Sequence, residues 1–398
     1  MTKTTYLHPH RLAILAAFMA AAPTLAQTIP PDYGHDFVTI GAPGNRGVLP
    51  SEAPIWPFDR WGTFGRVDYE FRITRTEVTN TQYLEFIDTY TKVEGFTPGP
   101  RILGSGLFAD GFDPQGNPII RIKPGAAQAP ANPSWDYAAR YANWLHNDKG
   151  TELEDFETGA YDTSTFGVDP DTGKRTDQLE RSPGSKFYIP NLDEWTKAAH
   201  YDPDRYGEGQ EGYWYYPGGS DDPLVSGMPG EPGAETGAGQ TPPDFIFFPV
   251  GSYPQTNEPW GLLDTSGGAR EWTETVLPHQ LDDRLRVYRG SDTRTLGGPV
   301  ADDPIDVVRS ALDASYGFRM GSIVPSPGAS HVLIVGSCTI LSRRRRALEP
   351  FASHCWSCCA PARPLRTSSS RACPAIRAFR TPPAASGRIP SPWLADTS

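Results

Sequence analysis

The sequence predicts an α+β fold, a single irregular domain rich in loops. Three observations carry that reading. The 398-residue chain holds 40 glycines and 41 prolines, too many for long helices or a large sheet. Ten tryptophans, 17 tyrosines and 18 phenylalanines supply an aromatic core instead. Short segments with helical or strand periodicity are separated by long glycine- and proline-rich insertions. About 300 residues bury roughly three quarters of their unfolded surface, so such a domain needs no disulfide; no cysteine precedes Cys338.

The elements follow in order. Residues 66–74 read RVDYEFRIT, with Val67, Tyr69, Phe71 and Ile73 alternating against Asp68, Glu70 and Arg72, the pattern of a half-buried strand. Thr79 then caps a helix. Gln82, three residues on, completes a capping box, and Tyr83, Phe86, Ile87 and Tyr90 form the inward stripe. A second helix starts at Ser134 and buries Trp135, Ala138, Ala139, Ala142 and Leu145. A third starts at Asn191, where Glu194 is the reciprocal cap and Leu192, Trp195, Ala198 and Ala199 face inward.

Two insertions, 148–184 and 202–243, exceed ordinary connections, and loops of that length are usually functional or mobile. The second contains YWYYPGGSDD, 213–222. Trp214 and Tyr216 are expected to pin it to the core, the alternative being that they line a ligand pocket.

The ends have separate roles. Residues 1–26 combine Lys3 and Arg11, an apolar run from Leu12 to Ala22 and a small-residue ending, the pattern of a secretory signal peptide cleaved after Ala26. That run is shorter than the roughly 20 residues a membrane-spanning helix needs. The domain occupies 27–322. Residues 323–346 place VPSPG, the apolar HVLIVGSCTIL from His331 and then Arg343 to Arg346 in an order that resembles the PEP-CTERM class of sorting signal. Transient membrane association through 332–341 is implied, with the arginines on the cytoplasmic side. The tail, 347–398, has no apolar periodicity, holds four of the five cysteines and reads as disordered, the product of a frameshift or read-through. Its one Cys355-x-x-Cys358 pair is too little for a metal site.

Charge sharpens the division. The chain carries −11, but setting aside Lys3, Arg11 and the net +8 beyond residue 342 leaves −21 on the rest. A domain this acidic does not suit nucleic acid, whose phosphates demand Lys and Arg. It suits cations and solubility outside the cell, and the expected location is exported: periplasmic, cell-surface or extracellular.

The segment GLLDTSGGAREWTET, 261–275, resembles the GLYDMxGNVWEWT signature of the formylglycine-generating enzyme, or sulfatase-modifying factor, family. Further matches keep the family's order: EVTNTQYLEFI from Glu77, NPSWDYAARYANWL from Asn132, FYIPNLDEWTKAAHYDP from Phe187, PVGSYPQTNEPWGL from Pro249, VYRGSD from Val287 and YGFRMGS from Tyr316. The resemblance implies an irregular α+β fold related to C-type lectins.

It also implies sites. In that family the turn before EWT wraps calcium, and position by position its ligands fall on Ser266, Gly267, Ala269 and Glu271. A tight glycine-rich turn aiming carbonyls around one carboxylate suits a hard cation. Gly268 stands where the family has Asn and Arg270 where it has Trp. The alternative is a structural Glu271 that hydrogen-bonds turn amides without metal.

Catalysis in the family uses two cysteines that bind copper, whose soft Cu(I) form selects thiolates. They lie between the RGGS-like strand and the closing GFR strand. Here that interval, SDTRTLGGPVADDPIDVVRSALDASY from Ser291 to Tyr316, contains no cysteine, and Met320 follows GFR where Cys is frequent. Copper is therefore not expected. A second branch of the fold holds iron through histidines of a helical domain that this chain lacks, and His35, His146, His200 and His279 show no ligand spacing. His146 and His200, at helix ends, are expected to meet terminal carbonyls. There is no GxSxG and no P-loop. Asp302, Asp303 and Asp306 read as a solvated face. Arg289, Arg309 and Arg319, arginines in the family too, are expected to pair with core carboxylates.

The expectation for function is a non-catalytic binding or interaction module for an unidentified protein or glycan. The alternative is a formylglycine-generating-enzyme-like oxidoreductase that activates sulfatases or uses a displaced active site on another substrate.

Overall fold

The structure is a computed structural model that describes residues 28–54, 58–95, 98–240, 248–256, 258–276, 285–293, 306–310 and 316–325. The chain divides into two compact units, Met1–Val332 and Leu333–Ser398, and the description concerns the first. The expected signal peptide, the apolar and arginine-rich parts of the sorting signal, and the tail lie outside the described residues.

Four strands form the first sheet: β1 (Phe37–Ile40), β2 (Phe71–Thr74), and two described below, β3 (Phe187–Tyr188) and β7 (Gly321–Ile323). Their order is β1-β2-β7-β3, antiparallel throughout. The strand expected over 66–74 is thus confined to its last four residues, all of them buried. One face was expected to meet solvent, but β2 lies between two strands and Arg72 turns inward. Its guanidinium pairs with Asp32 at 2.6 Å and lies 4.6 Å over the Phe37 ring. Tyr69, expected inside, is 43% exposed.

The helices start where the caps are. In α1 (Asn80–Glu94) Thr79 and Gln82 form the capping box, and Tyr83, Phe86, Ile87 and Tyr90 are buried. In α2 (Trp135–His146) Ser134 is the N-cap, but its hydroxyl makes no capping bond. In α3 (Leu192–His200) Asn191 and Glu194 cap each other's amides. Between α1 and α2 the stacked Phe86 and Tyr90, 5.6 Å apart, join Tyr141, Trp144 and Phe156 in the main aromatic core.

A second sheet has the order β4-β5-β6, from β4 (Glu271–Val276), β5 (Leu285–Arg289) and β6 (Asp306–Ser310). Two indoles tie it to the start of α2. Trp135 donates to the Thr273 carbonyl at 3.2 Å, and Trp272 donates to the Pro133 carbonyl at 3.1 Å. Within the 202–243 insertion, Tyr201–Asp202 pairs with Gly212–Tyr213. Tyr216 is buried there, as expected of an anchor, whereas Trp214 is half-buried and donates to Asp202 at 3.1 Å.

Candidate functional site

The turn that enters β4 is built on two close approaches. Gly267 has φ 88°, and a Cβ there would meet Thr236 Oγ1 at 2.2 Å and the amides of Gly237 and Ala238 at 2.5 Å. Gly268 is crowded differently: a Cβ would lie 2.2 Å from Glu77 Oε1. That carboxylate already accepts from the Ala269 amide at 3.0 Å. At 268 it is Glu77, not backbone conformation, that leaves little room for a side chain. Arg270 leans away, its guanidinium 5.5 Å over the Tyr288 ring.

Four buried acids surround one arginine beside this turn. Arg319 Nε donates to Glu271 at 2.8 and 2.9 Å, and Nη2 lies 3.8 Å from Glu77 Oε2. The guanidinium also reaches the carbonyls of Thr74, Arg75 and Leu263. Glu258 accepts from the Thr265 hydroxyl at 2.7 Å, and Asp264 accepts from the Gly251 amide. Burial is the leading cause in every case and raises all four acids above the ordinary carboxylate range, with Arg319 opposing. Glu258 is pushed up to about 8, so it carries a proton at neutral pH.

The predicted ligand set, Ser266, Gly267, Ala269 and Glu271, is brought together on this turn, and its one carboxylate is already engaged. Glu271 accepts from Arg319 and from Trp195 Nε1 at 2.8 Å. The Ser266 carbonyl accepts from Thr236 Oγ1 at 2.9 Å, and the Gly267 amide donates to the Ser291 carbonyl at 3.0 Å. A calcium ion on this turn would share Glu271 with the buried Arg319 guanidinium. Among the described residues no group of three or more His, Cys, Asp or Glu is placed to hold a metal.

The remaining expectations divide. Arg319 pairs with core carboxylates as its position suggests. Arg289 is buried 5.1 Å from the Trp195 ring, with Nη2 3.4 Å from His200 Nε2. The Arg309 and Asp306 side chains, and Asp302, Asp303 and His279, lie outside the described residues. The helix-end histidines bond across the fold, not to their own helices. His200 Nδ1 meets the Trp214 carbonyl at 3.0 Å, and His146 Nδ1 accepts from the Lys186 amide at 3.0 Å. Burial lowers His35 to about 4 and His200 to about 3.

Sequence reasoning missed a second polar centre. Arg181, from the first insertion, grips Glu194 at 2.7 and 3.0 Å and Glu274 at 3.2 Å, and its guanidinium stacks 3.6 Å from the Tyr188 ring centre. Tyr69 donates to Glu194 at 2.7 Å and Tyr161 to Glu274 at 2.9 Å. Burial pushes Glu274 up to about 7, against the pull of Arg181. Only the Glu194 cap was visible in sequence. A cavity of about 730 Å³ opens beside this centre.

The interval from Ser291 to Tyr316, cysteine-free as it is, lies in sequence between β5 and the segment before β7 that carries Arg319 into the acid cluster. The sequence model of the sulfatase-modifying factor enzyme 1-like domain matches residues 65–315, which span the turn, the helices and that interval. The chain belongs to the sulfatase-modifying factor family. Among solved structures this member is similar to CarF, at 20% identity and TM-score 0.44, covering 73% of this chain and 99% of that one. It is similar to Treponema denticola variable protein 1 at 17% identity and TM-score 0.40, covering 72% and 94%. PvdO from Pseudomonas aeruginosa follows at 17% identity and TM-score 0.36, covering 76% and 100%. No curated protein sequence matches it.

Proposed function

We propose that this sulfatase-modifying factor family member is an exported, non-catalytic binding module for a protein or glycan. One observation carries the reading: the family's copper chemistry needs two cysteines before the GFR strand, and Ser291 to Tyr316 supplies none. The first cysteine anywhere is Cys338. Without a thiolate pair the fold keeps its scaffold and loses the means to hold Cu(I).

The buried polar groups support the same direction. Glu271 and Arg319 are fully buried and bonded to one another, to the Trp195 indole and to backbone carbonyls, which is how a frame is held rigid. For the turn we propose that Arg319, not calcium, holds Glu271. The export signal and the membrane-sorting segment belong to the same proposal and rest on residues 1–26 and 323–346.

The test is direct. The purified chain is incubated with copper, oxygen and a peptide carrying the sulfatase cysteine motif, and the peptide is analysed by mass for conversion of cysteine to formylglycine. An unchanged peptide supports the binding module; conversion supports the oxidoreductase.

A further inference from the structure

A small slot opens where the 202–243 insertion meets α3. Thr196 and His200 of α3, Arg289 at the end of β5, Glu52, Trp214 and Tyr215 are among the residues that line it. Its volume, about 20 Å³, admits one water-sized group and not two.

One atom of the lining asks for a guest. Thr196 is 2% exposed, and its Oγ1 has no hydrogen-bond partner among the described residues. A buried hydroxyl without a partner is costly, and a ligand that completes its bonding removes that cost.

The neighbouring groups select the charge of the guest. His200 Nδ1 lies 3.0 Å from the Trp214 carbonyl, so it carries the ring hydrogen and leaves Nε2 as an acceptor. Burial lowers this histidine to about 3, and the ring is neutral at physiological pH. Nε2 and the Glu52 carboxylate oppose an anion in the slot, whereas the Arg289 guanidinium, with Nη2 3.4 Å from Nε2, opposes a cation. A neutral hydroxyl, donor and acceptor at once, suits all of them.

The mouth is aromatic. Trp214 and Tyr215 are half-buried, while Thr196, His200, Arg289 and Glu52 are buried, so the two rings stand where the slot meets solvent. Both are fixed through Asp221. It accepts from Arg205 Nη2 at 2.7 Å and from the Tyr215 amide at 3.0 Å, and the Arg205 guanidinium lies 4.8 Å from the Trp214 ring centre. A ligand ring resting on these two needs a polar arm that bends inward to Thr196. The hydroxymethyl of a hexopyranose is such an arm, and the C–H face of the sugar covers the aromatic surface. A phenol, with its hydroxyl in the ring plane, cannot do both.

We propose that this slot anchors a neutral hexose, with the exocyclic hydroxymethyl at Thr196 and the sugar ring against Trp214 and Tyr215. The proposal rests on the binding-module reading and narrows its partner to a glycan.

Saturation-transfer NMR of the full chain with the methyl glycosides of glucose, galactose and mannose tests it, with methyl xyloside, a pyranoside without that arm, as the control. At least one hexoside is expected to bind saturably, about tenfold more tightly than the xyloside. Thr196→Val, which keeps the side-chain shape, and Tyr215→Ala should each weaken that hexoside about tenfold, with unchanged circular dichroism. No saturable hexoside, a xyloside bound equally well, or a Thr196→Val variant that binds as the wild type does overturns the proposal and leaves the slot to an ordered water. So does p-cresol binding that blocks the hexoside, an outcome that gives the slot to a tyrosine of a protein partner and leaves the binding module standing. Peptide oxidation by the copper-loaded chain would instead remove the non-catalytic reading without deciding what the slot binds.

Discussion

Arg319 Nε sits 2.8 Å from Glu271 Oε1, and both side chains are fully buried. The pair joins the segment just before β7 to the first residue of β4, across 48 positions of sequence. Glu271 also receives the Trp195 indole, so three separate elements converge on one carboxylate.

Removing the arginine should leave that acid without its cation. Breaking a buried ion pair from one side costs about 3–5 kcal/mol. Arg319→Met is therefore expected to lower the urea midpoint strongly, and adding Glu271→Gln to restore part of the loss. Equal stability of wild type and Arg319→Met would show that the pair does not hold the turn.

How much of this was readable in advance depended on distance along the chain. The capping boxes of Thr79 with Gln82 and Asn191 with Glu194 are three-residue patterns, and both formed as read. Glu271 was marked by its motif, but its partner Arg319 was fixed only by folding. Arg72 was misplaced because the Pro30 carbonyl, the Ser322 hydroxyl and the Phe37 ring hold its guanidinium inside. Arg181 with Glu274, and Arg286, which pairs with Asp177 at 3.1 Å and stacks 3.7 Å from the Trp135 ring centre, have no local signal at all. A charge buried by a distant partner looks in sequence like any surface charge.

Gly268 makes a steric prediction. Because a Cβ there would sit 2.2 Å from Glu77 Oε1, the family-type Gly268→Asn should destabilise the domain by about 1–3 kcal/mol, the usual cost of overpacking. Thermal melts of the two proteins measure it. A neutral or stabilising asparagine would mean that Glu77 moves freely, contrary to its burial.

Glu258 predicts a pH dependence with a definite sign. Its folded value, about 8, lies above the ordinary 4.5, so the contribution of this acid to stability is complete below 4.5 and is lost as pH rises through 8. For an ideal single site the loss between pH 5 and 8 is up to about 3 kcal/mol. Glu258→Gln should flatten the stability curve over that window, as read by urea unfolding at each pH. Parallel curves for the two proteins would contradict the assignment.

Calcium offers a further discriminating measurement. With Glu271 held by Arg319 and Trp195, millimolar calcium or a chelator should leave the melting temperature unchanged. A melting temperature that climbs with calcium concentration would signal binding to the folded state and would return Ser266, Gly267, Ala269 and Glu271 to a ligand role.

The central claim, that the scaffold has lost its copper chemistry with the cysteines of the Ser291 to Tyr316 interval, is tested most directly by the copper-loaded chain acting on a sulfatase-motif peptide. An intact cysteine after prolonged aerobic incubation is the predicted result. Formylglycine in the peptide would contradict it.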